Sequence, residues 1–89
     1  MSYHIKFSET AKKQLGKFDG FTRSQIIEYV ERELNNIDNP RRIGKGLKGK
    51  LKGLWRYEIG KYRLLCSIED DTLIILIVKI GHRREVYRG

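Results

Sequence analysis

Cysteine, proline and histidine are scarce in this chain, and long apolar runs are missing. Among its 89 residues are one cysteine, one proline and two histidines. A single cysteine rules out an intramolecular disulfide and a cysteine-based zinc site, which is typical of a protein from a reducing compartment. The longest purely apolar run covers only residues 73–78, whereas a membrane-spanning helix needs ~20 such residues. The N-terminus also has no apolar signal-peptide core, so we expect a cytoplasmic protein with no membrane partner.

Positive charge, by contrast, is abundant and unevenly placed. Residues 1–40 contain six basic and six acidic side chains, whereas residues 41–89 contain thirteen basic and five acidic ones, so the second segment accounts for the whole net charge of +8. A basic segment of this kind is typical of a protein that binds a polyanion, most often nucleic acid. The alternative is a solvated surface that only aids solubility. The chain length suits a single domain over residues 1–89.

The first part of the chain has the pattern of one strand followed by two helices. Alternating apolar and polar side chains in residues 3–7 predict a strand with one buried face. Ser8 can cap a helix that covers residues 8–18. Thr22, with its capping-box spacing, begins a second helix that ends near residue 37, before the only proline. The apolar stripe of this second helix consists of Ile26, Ile27, Val30, Leu34 and Ile37.

The second part has the pattern of a loop followed by successive strands. Scattered lysines and glycines in residues 44–53 predict a mobile basic loop. Strands are expected at residues 54–59 and 62–68, joined by a two-residue turn whose first residue is glycine, as a type II′ turn requires. The β-branched run at residues 72–80 predicts a central strand. The order β-α-α-β-β-β therefore predicts an α+β fold, in which two N-terminal helices pack on one face of a mostly antiparallel sheet.

Three side chains of the predicted hairpin share one face. With Gly60 and Lys61 as the loop residues, Glu58 lies opposite Arg63, and strand alternation places Arg56 on the same face. This is the face that the helices leave uncovered. A functional site there competes with a simpler explanation, a cross-strand ion pair between Glu58 and Arg63.

Other side chains give weaker chemical signals. Cys66 is expected on the helix-packed face, as a buried apolar side chain rather than a nucleophile. Neither histidine has metal-ligand spacing, so we expect no metal or other cofactor. The tail after the central strand contains His82, Arg83, Arg84, Tyr87 and Arg88. Guanidinium groups beside an aromatic ring suit RNA phosphates and bases, although a basic tail can also be only a solvated chain end.

Three motifs together resemble the signatures of the RelE/ParE toxin superfamily. They are Leu-Lys-Gly at residues 47–49, Trp-Arg-Tyr-Glu-Ile-Gly-Lys-Tyr-Arg-Leu at residues 55–64 and Lys-Ile-Gly-His-Arg-Arg-Glu-Val-Tyr at residues 79–87. The resemblance covers essentially the whole chain and is strongest to the RelE branch. It implies the RelE-like toxin fold and a toxin of a type II toxin–antitoxin system. The partners it implies are a RelB-like antitoxin, mRNA and the ribosome, with operator DNA contacted only through the toxin–antitoxin complex.

The resemblance also implies site residues. Lys48 matches the basic residue of the Leu-Lys/Arg-Gly loop, and Arg56 matches the first basic residue of the strand before the hairpin. Arg63 matches the arginine of Tyr-Arg, Arg83 an arginine after the last strand, and Tyr87 the tyrosine of Glu-Val-Tyr. The expected catalytic set is Arg56, Glu58, Arg63, Arg83 and Tyr87. The residues expected to bind RNA or the ribosome are Lys45, Lys48, Lys50, Lys52, His82 and Arg84.

Glu58 departs from the family pattern, because the best-known members have a second lysine at that position. A carboxylate there can act as a general base or only pair with Arg63, and we favour the pairing. The segment after the last strand is shorter than in those members. Arg83 and Arg84 are therefore both candidates for the phosphate-binding arginine.

The activity implied by the resemblance is metal-independent cleavage of mRNA on the ribosome, in which the ribose 2′-hydroxyl attacks the adjacent phosphate. Arginine cannot act as a base near neutral pH, so Arg56, Arg63 and Arg83 are expected to orient the phosphate and stabilise its charge. The candidates for proton transfer are Glu58, His82 and Tyr87. Two alternatives stay open: a ParE-like toxin that inhibits gyrase without nuclease activity, and a non-catalytic nucleic-acid-binding module.

Overall fold

Two helices lie against one face of a five-stranded sheet in the computed structural model, which describes residues 1–84. The strands are β1 (His4–Phe7), β2 (Lys45–Gly46), β3 (Trp55–Ile59), β4 (Tyr62–Glu69) and β5 (Ile74–His82). The helices are α1 (Glu9–Lys17) and α2 (Gly20–Tyr29), and a π-helical turn (Val30–Leu34) continues α2. The predicted α+β class is confirmed. No helix within residues 1–84 combines the length and apolarity needed to cross a bilayer.

The strand order is β1-β5-β4-β3-β2, with β1 parallel to β5 and the other pairs antiparallel. β5 lies between β1 and β4, which confirms the predicted central strand, although the strand is shifted toward the C-terminus and continues to His82. β2 lies inside the predicted mobile loop, where Lys45 and Gly46 pair with Arg56 and Trp55. The loop prediction was wrong at these two residues, because so short a strand shows no alternation.

Side-chain caps fix where both helices begin. The Ser8 hydroxyl accepts a hydrogen bond from the Ala11 N–H at 3.0 Å, so Ser8 caps α1 as predicted. α2 begins earlier than predicted, because the Asp19 carboxylate accepts from the Thr22 N–H at 2.7 Å. Hydrogen bonds from Thr22 lower the pKa of the Asp19 carboxyl. The prediction that Thr22 is the cap was therefore wrong, and Thr22 is buried in the first turn.

α2 ends through the π-helical turn. The Asn35 N–H donates to the Val30 carbonyl oxygen at 2.8 Å, and Asn36 then adopts a φ of +66°, which asparagine tolerates better than most residues. The helical segment ends at Leu34, so the predicted end near residue 37 was wrong. Ile37 is buried nevertheless, because the chain turns back and its N–H donates to the Leu34 carbonyl oxygen at 3.2 Å.

The hydrophobic core lies between the helices and the sheet. The helical side contributes Ile26, Val30 and Leu34, and the sheet contributes Tyr57, Leu64, Cys66, Ile75, Ile77 and Ile80. Ile27 is 42% exposed, so its place in the predicted buried stripe was wrong, since a helix buries only the stripe that faces its neighbour. Burial raises the pKa of the Cys66 thiol, which makes this thiol an inert core group.

Where β1 ends, Ser8 and α1 supply hydrogen-bond partners to the backbone groups at the edge of β5. The Ser8 N–H donates to the Ile77 carbonyl oxygen and the Ser8 hydroxyl to the Val78 carbonyl oxygen, both at 2.9 Å. Further along, the Ile80 N–H donates to Oε1 of Gln14 at 2.6 Å. Backbone groups at a strand edge need such partners, and the N-terminal part of the chain supplies them from side chains and a helix cap.

Asp70 ties the β4–β5 turn to two distant segments. The Tyr3 hydroxyl donates to the Asp70 carboxylate, and the Arg41 guanidinium donates to both carboxylate oxygens, at 3.0 and 2.9 Å. Hydrogen bonds from Arg41 and Tyr3 lower the pKa of Asp70 to about 2. The bidentate pair between Arg41 and Asp70 anchors the chain segment that connects α2 to β2.

Candidate functional site

The β3–β4 hairpin has the register that the sequence predicted. Glu58 pairs with Arg63 and Ile59 with Tyr62, and Gly60 adopts a φ of +57° in the turn. A positive φ at the first loop residue is what a type II′ turn requires. The short turn therefore fixes which side chains share a face of the sheet.

Arg56, Glu58 and Arg63 form an arginine–carboxylate cluster on the sheet face opposite the helices. Oε1 of Glu58 lies 3.1 Å from Nη2 of Arg56 and 3.4 Å from Nη2 of Arg63. The two arginine side chains are only 20% and 19% exposed, whereas Glu58 is 47% exposed. Two guanidiniums and one carboxylate leave a net positive charge at a partly desolvated place. Such a site suits phosphate, which guanidinium groups bind bidentately.

Lys45 joins the same face from β2. It lies opposite Arg56 in the β2–β3 register and is exposed. The Trp55 indole N–H donates to the Ile43 carbonyl oxygen at 2.8 Å. Gly44 has a φ of +82° and packs so closely on β3 that a Cβ atom there would lie 2.6 Å from Nε1 of Trp55. Lys45 is thus presented from a fixed strand rather than from a mobile loop.

The other loop lysines lie beyond that strand. Lys48, Lys50 and Lys52 are exposed and lie within or directly beside a 3₁₀ turn (Gly49–Leu51). They add positive charge at the β2–β3 connection, and their role in binding RNA or the ribosome stays a prediction.

His82 faces the other side of the sheet. It lies opposite Tyr62 in the β4–β5 register, and the two rings meet edge to face with centroids 5.8 Å apart. Because β5 continues through this residue, strand alternation decides the direction of the imidazole. The structure therefore separates His82 from Arg56 and Arg63, and its ring is not placed for proton transfer at their cluster.

Arg83 and Arg84 follow β5 directly and are exposed. The Arg83 N–H donates to the Lys61 carbonyl oxygen at 2.8 Å, which extends the pairing to the hairpin turn. The Arg84 N–H donates to Nδ1 of His82 at 3.2 Å. Both arginines remain candidates for the phosphate-binding arginine. Tyr87 lies outside the described residues, so its catalytic role also stays a prediction.

Tyr29 belongs to the surroundings of the cluster, although it was not predicted as a site residue. A cavity of about 400 Å³ at the β3 edge of the sheet is lined by Tyr29, Gly44, Lys45, Arg56 and Glu58, so Tyr29 of α2 approaches the cluster from the helix side of that edge. Burial is the main cause that raises the pKa of Tyr29, so its phenol is protonated at neutral pH. No sequence signal could have found Tyr29, because only tertiary packing brings α2 beside β3.

Lys79 is a second residue near the cluster that was not predicted as a site residue. Leu65 pairs with both Arg56 and Lys79, which places Lys79 on the face of the cluster. Extending the hairpin alternation to the next strand would have found it. Within residues 1–84, no three His, Cys, Asp or Glu side chains are grouped so as to hold a metal ion.

The chain matches known toxins over most of its length. The family model described as "ParE toxin of type II toxin-antitoxin system, parDE" matches residues 5–87. Toxin RelG of Mycobacterium tuberculosis is 32% identical, with 99% of each chain covered. Toxin RelE of the same organism is 33% identical over 97% of this chain and 87% of its own.

A solved structure agrees with these matches. A chain of a toxin–antitoxin complex from Mycobacterium tuberculosis superposes with a TM-score of 0.83 at 30% identity, covering 93% of this chain and 100% of that chain. The fold, the cationic sheet face and the matches together define a toxin of the type II toxin–antitoxin class. The chain belongs to the RelE/ParE superfamily, as its motifs predicted.

Proposed function

We propose that this toxin is a ribosome-dependent endoribonuclease that cuts messenger RNA. The observation that carries the proposal is the arginine–carboxylate cluster, with Lys45 beside it, on the sheet face opposite the helices. Partly buried guanidiniums prefer ligands with planar, anionic oxygen pairs, and RNA phosphate is such a ligand. The similarity to Toxin RelE and Toxin RelG supports the choice of the RelE branch.

The proposed reaction is an intramolecular transesterification. The ribose 2′-hydroxyl gives its proton to a base and attacks the adjacent phosphorus atom. The bond from phosphorus to the 5′-oxygen breaks, and that oxygen takes up a proton. The products are a 2′,3′-cyclic phosphate and a 5′-hydroxyl. Negative charge grows on the phosphate during this step, and Arg56 and Arg63 would stabilise it because guanidinium stays charged at neutral pH.

Proton transfer falls to other side chains. Both arginines of the cluster hold one oxygen of Glu58, which favours a positioning role for this carboxylate. Tyr87 keeps the proton-transfer or base-stacking role that the family implies, and Arg83 keeps its role in binding the phosphate. This division of roles predicts that cleavage depends far more on Arg63 than on Glu58, a difference that mutation can test.

We also propose a RelB-like antitoxin as the partner that neutralises the toxin. The similar Mycobacterium tuberculosis structure is a toxin–antitoxin complex. A protein of charge +8 with a partly exposed cationic face is complementary to an acidic segment that folds upon it. Operator DNA would be contacted only through that complex. Mixing the toxin with the product of an adjacent small open reading frame should give a complex at low micromolar concentration, and no complex would contradict this partner.

One observation favours a second candidate. The matching family model is described as a ParE toxin. The ParE branch includes toxins that inhibit gyrase without nuclease activity. Two assays on the same purified protein separate the candidates: translation of a defined messenger with mapping of 5′ ends, and supercoiling by DNA gyrase. Messenger with new 5′-hydroxyl ends supports the endoribonuclease. Inhibited supercoiling with intact messenger supports the gyrase inhibitor.

A further inference from the structure

A second concave site lies on the opposite side of the sheet from the arginine–carboxylate cluster, and the proposed reaction does not use it. It is a cavity of about 420 Å³ at the C-terminal end of α1, which we call the aromatic pocket. Its lining includes Gln14, Lys17, Phe18, Tyr62, Ile80 and His82.

Three aromatic rings form a row in this pocket. The centroids of Phe18 and Tyr62 are 5.1 Å apart with an interplanar angle of 61°, and those of Tyr62 and His82 are 5.8 Å apart at 78°. All three side chains are half-buried, so the row is held by its neighbours but is open to a ligand. Partly exposed rings of this kind are the platforms on which proteins stack unpaired bases.

Hydrogen-bond donors surround the rings. Oε1 of Gln14 accepts from a β5 backbone N–H, which assigns the amide nitrogen of Gln14 as the group that donates to a ligand. Nδ1 of His82 accepts from the Arg84 N–H, so Nε2 is the donor of the neutral ring. Lys17 is exposed at the rim. No acidic side chain lines the pocket in the described part of the chain, and the nearby Asp19 carboxylate is engaged in capping α2.

We infer that the aromatic pocket binds an unpaired nucleobase of single-stranded RNA, with the base against Tyr62 and a neighbouring phosphate at Lys17. A base combines a flat apolar surface with carbonyl and ring-nitrogen acceptors, which match these rings and donors. An apolar peptide side chain would fill the pocket but leave its donors without partners. A polyanion is also favoured by two exposed basic residues close by: Lys61 directly precedes Tyr62, and the Arg84 N–H bonds to the His82 ring.

The inference rests on the proposed function only in taking RNA as the polyanion. It concerns binding, and the arginine–carboxylate cluster on the other face is where cleavage is proposed. Substitutions in the pocket therefore leave the cluster residues in place, and binding and cleavage can be measured separately.

The test is fluorescence anisotropy of the full-length protein with a single-stranded 2′-O-methyl RNA of about twelve nucleotides. This RNA resists the proposed cleavage because its attacking hydroxyl is methylated. Tyr62→Leu keeps an apolar side chain beside Phe18 but removes the stacking ring, and it should weaken binding roughly 5- to 100-fold. Lys17→Ala should weaken binding and lower the salt dependence by about one phosphate contact. Lys12→Ala removes the same charge from another face of α1 and should change affinity less than about twofold.

An oligonucleotide with abasic sites separates stacking from charge. The wild type should bind it about as weakly as Tyr62→Leu binds intact RNA, and Tyr62→Leu should lose nothing further. Equal binding of intact and abasic RNA by the wild type would overturn the inference. So would unchanged binding by a Tyr62→Leu protein with a native circular dichroism spectrum. If the Tyr62→Leu variant does not fold, the abasic RNA and Lys17→Ala still test whether the pocket binds RNA.

Two further results separate RNA binding by the pocket from antitoxin binding and from the proposed cleavage. If Tyr62→Leu loses affinity for the antitoxin but not for RNA, the pocket belongs to the protein partner and the inference is wrong. If the wild type cuts no messenger on translating ribosomes but binds RNA through Tyr62, the endoribonuclease proposal fails and the pocket stands.

Discussion

Glu58 and Arg63 face each other directly across the hairpin, with Oε1 of Glu58 3.4 Å from Nη2 of Arg63. The same oxygen also contacts Arg56, so one carboxylate holds two like-charged guanidiniums side by side. A phosphate that binds there meets arginines whose positions are already restricted, and less side-chain entropy is lost on binding. Stabilisation of a transition state depends on such preorganised charge.

Arg63→Ala should lower the rate of messenger cleavage by about 10²–10³-fold, the usual effect of removing one group that stabilises transition-state charge. The fold should survive, because Glu58 keeps its contact with Arg56. Single-turnover cleavage on programmed ribosomes measures the rate. Arg42→Ala, an exposed arginine paired with Asp38, is the matched control and should keep the parental rate. A folded Arg63→Ala protein that cuts like the wild type would contradict the site assignment.

Glu58→Gln tests whether the carboxylate is a base or a positioning group. The amide keeps the shape but cannot take a proton, so loss of a general base would cost about 10²–10⁴-fold in rate. We expect the rate to stay within about tenfold, and stability to change by only a few tenths of a kcal/mol, roughly the value of a cross-strand ion pair whose carboxylate is still in contact with solvent. A loss of more than a hundredfold in a folded variant would show that Glu58 takes part in proton transfer.

Gly44→Ala should destabilise the protein by about 2–5 kcal/mol, because a positive φ costs about 1–2 kcal/mol and overpacking against β3 costs about 1–3 more. The added Cβ would collide with the Arg56 carbonyl oxygen and the Trp55 indole. Urea unfolding measures the difference. Gly53→Ala is the control, because Gly53 also has a positive φ, +97°, but open space around its Cβ position. Equal destabilisation of both variants would show that close packing at β2 is unimportant.

Asp70→Asn should remove a stabilising contribution that depends on pH. Hydrogen bonds from Arg41 and Tyr3 hold the folded-state pKa of Asp70 at about 2, below its ordinary value of 3.8. A lowered pKa stabilises the fold above the ordinary value, and this stabilisation disappears as pH falls through the folded-state value. The difference in unfolding free energy between wild type and variant should therefore be constant near neutral pH. It should shrink between about pH 4 and pH 2, and a difference that is independent of pH down to 2 would refute this role.

The hairpin and its cluster could be predicted from the sequence because two local signals agree there. The two-residue turn beginning at Gly60 fixes the register, and alternation then assigns Arg56, Glu58 and Arg63 to one face. The cap at Ser8 is equally local. Asp19 was within reach too, since aspartate ranks above threonine as an N-cap, but the capping-box spacing of Thr22 pointed to the wrong residue.

Features that depend on contacts between distant segments could not be predicted. β2 is too short to show alternation, and its place is decided by packing of Gly44 against β3. Tyr29 reaches the cavity beside Glu58 only because α2 packs along the sheet. The direction of the His82 side chain depends on how far β5 continues. The sequence did not indicate that end, because the β-branched run stops before the strand does.

The pairing of β1 with β5 means that the last of the five strands to be synthesised is the one that joins the sheet together. β5 lies between β1 and β4, so a nascent chain that has not yet released β5 can form only the β4-β3-β2 part of the sheet, and β1 has no strand to pair with. Contacts between such distant parts of a chain are slow to form. The toxin therefore acquires its complete sheet only after β5 has left the ribosome, and an unfinished chain carries no assembled toxin.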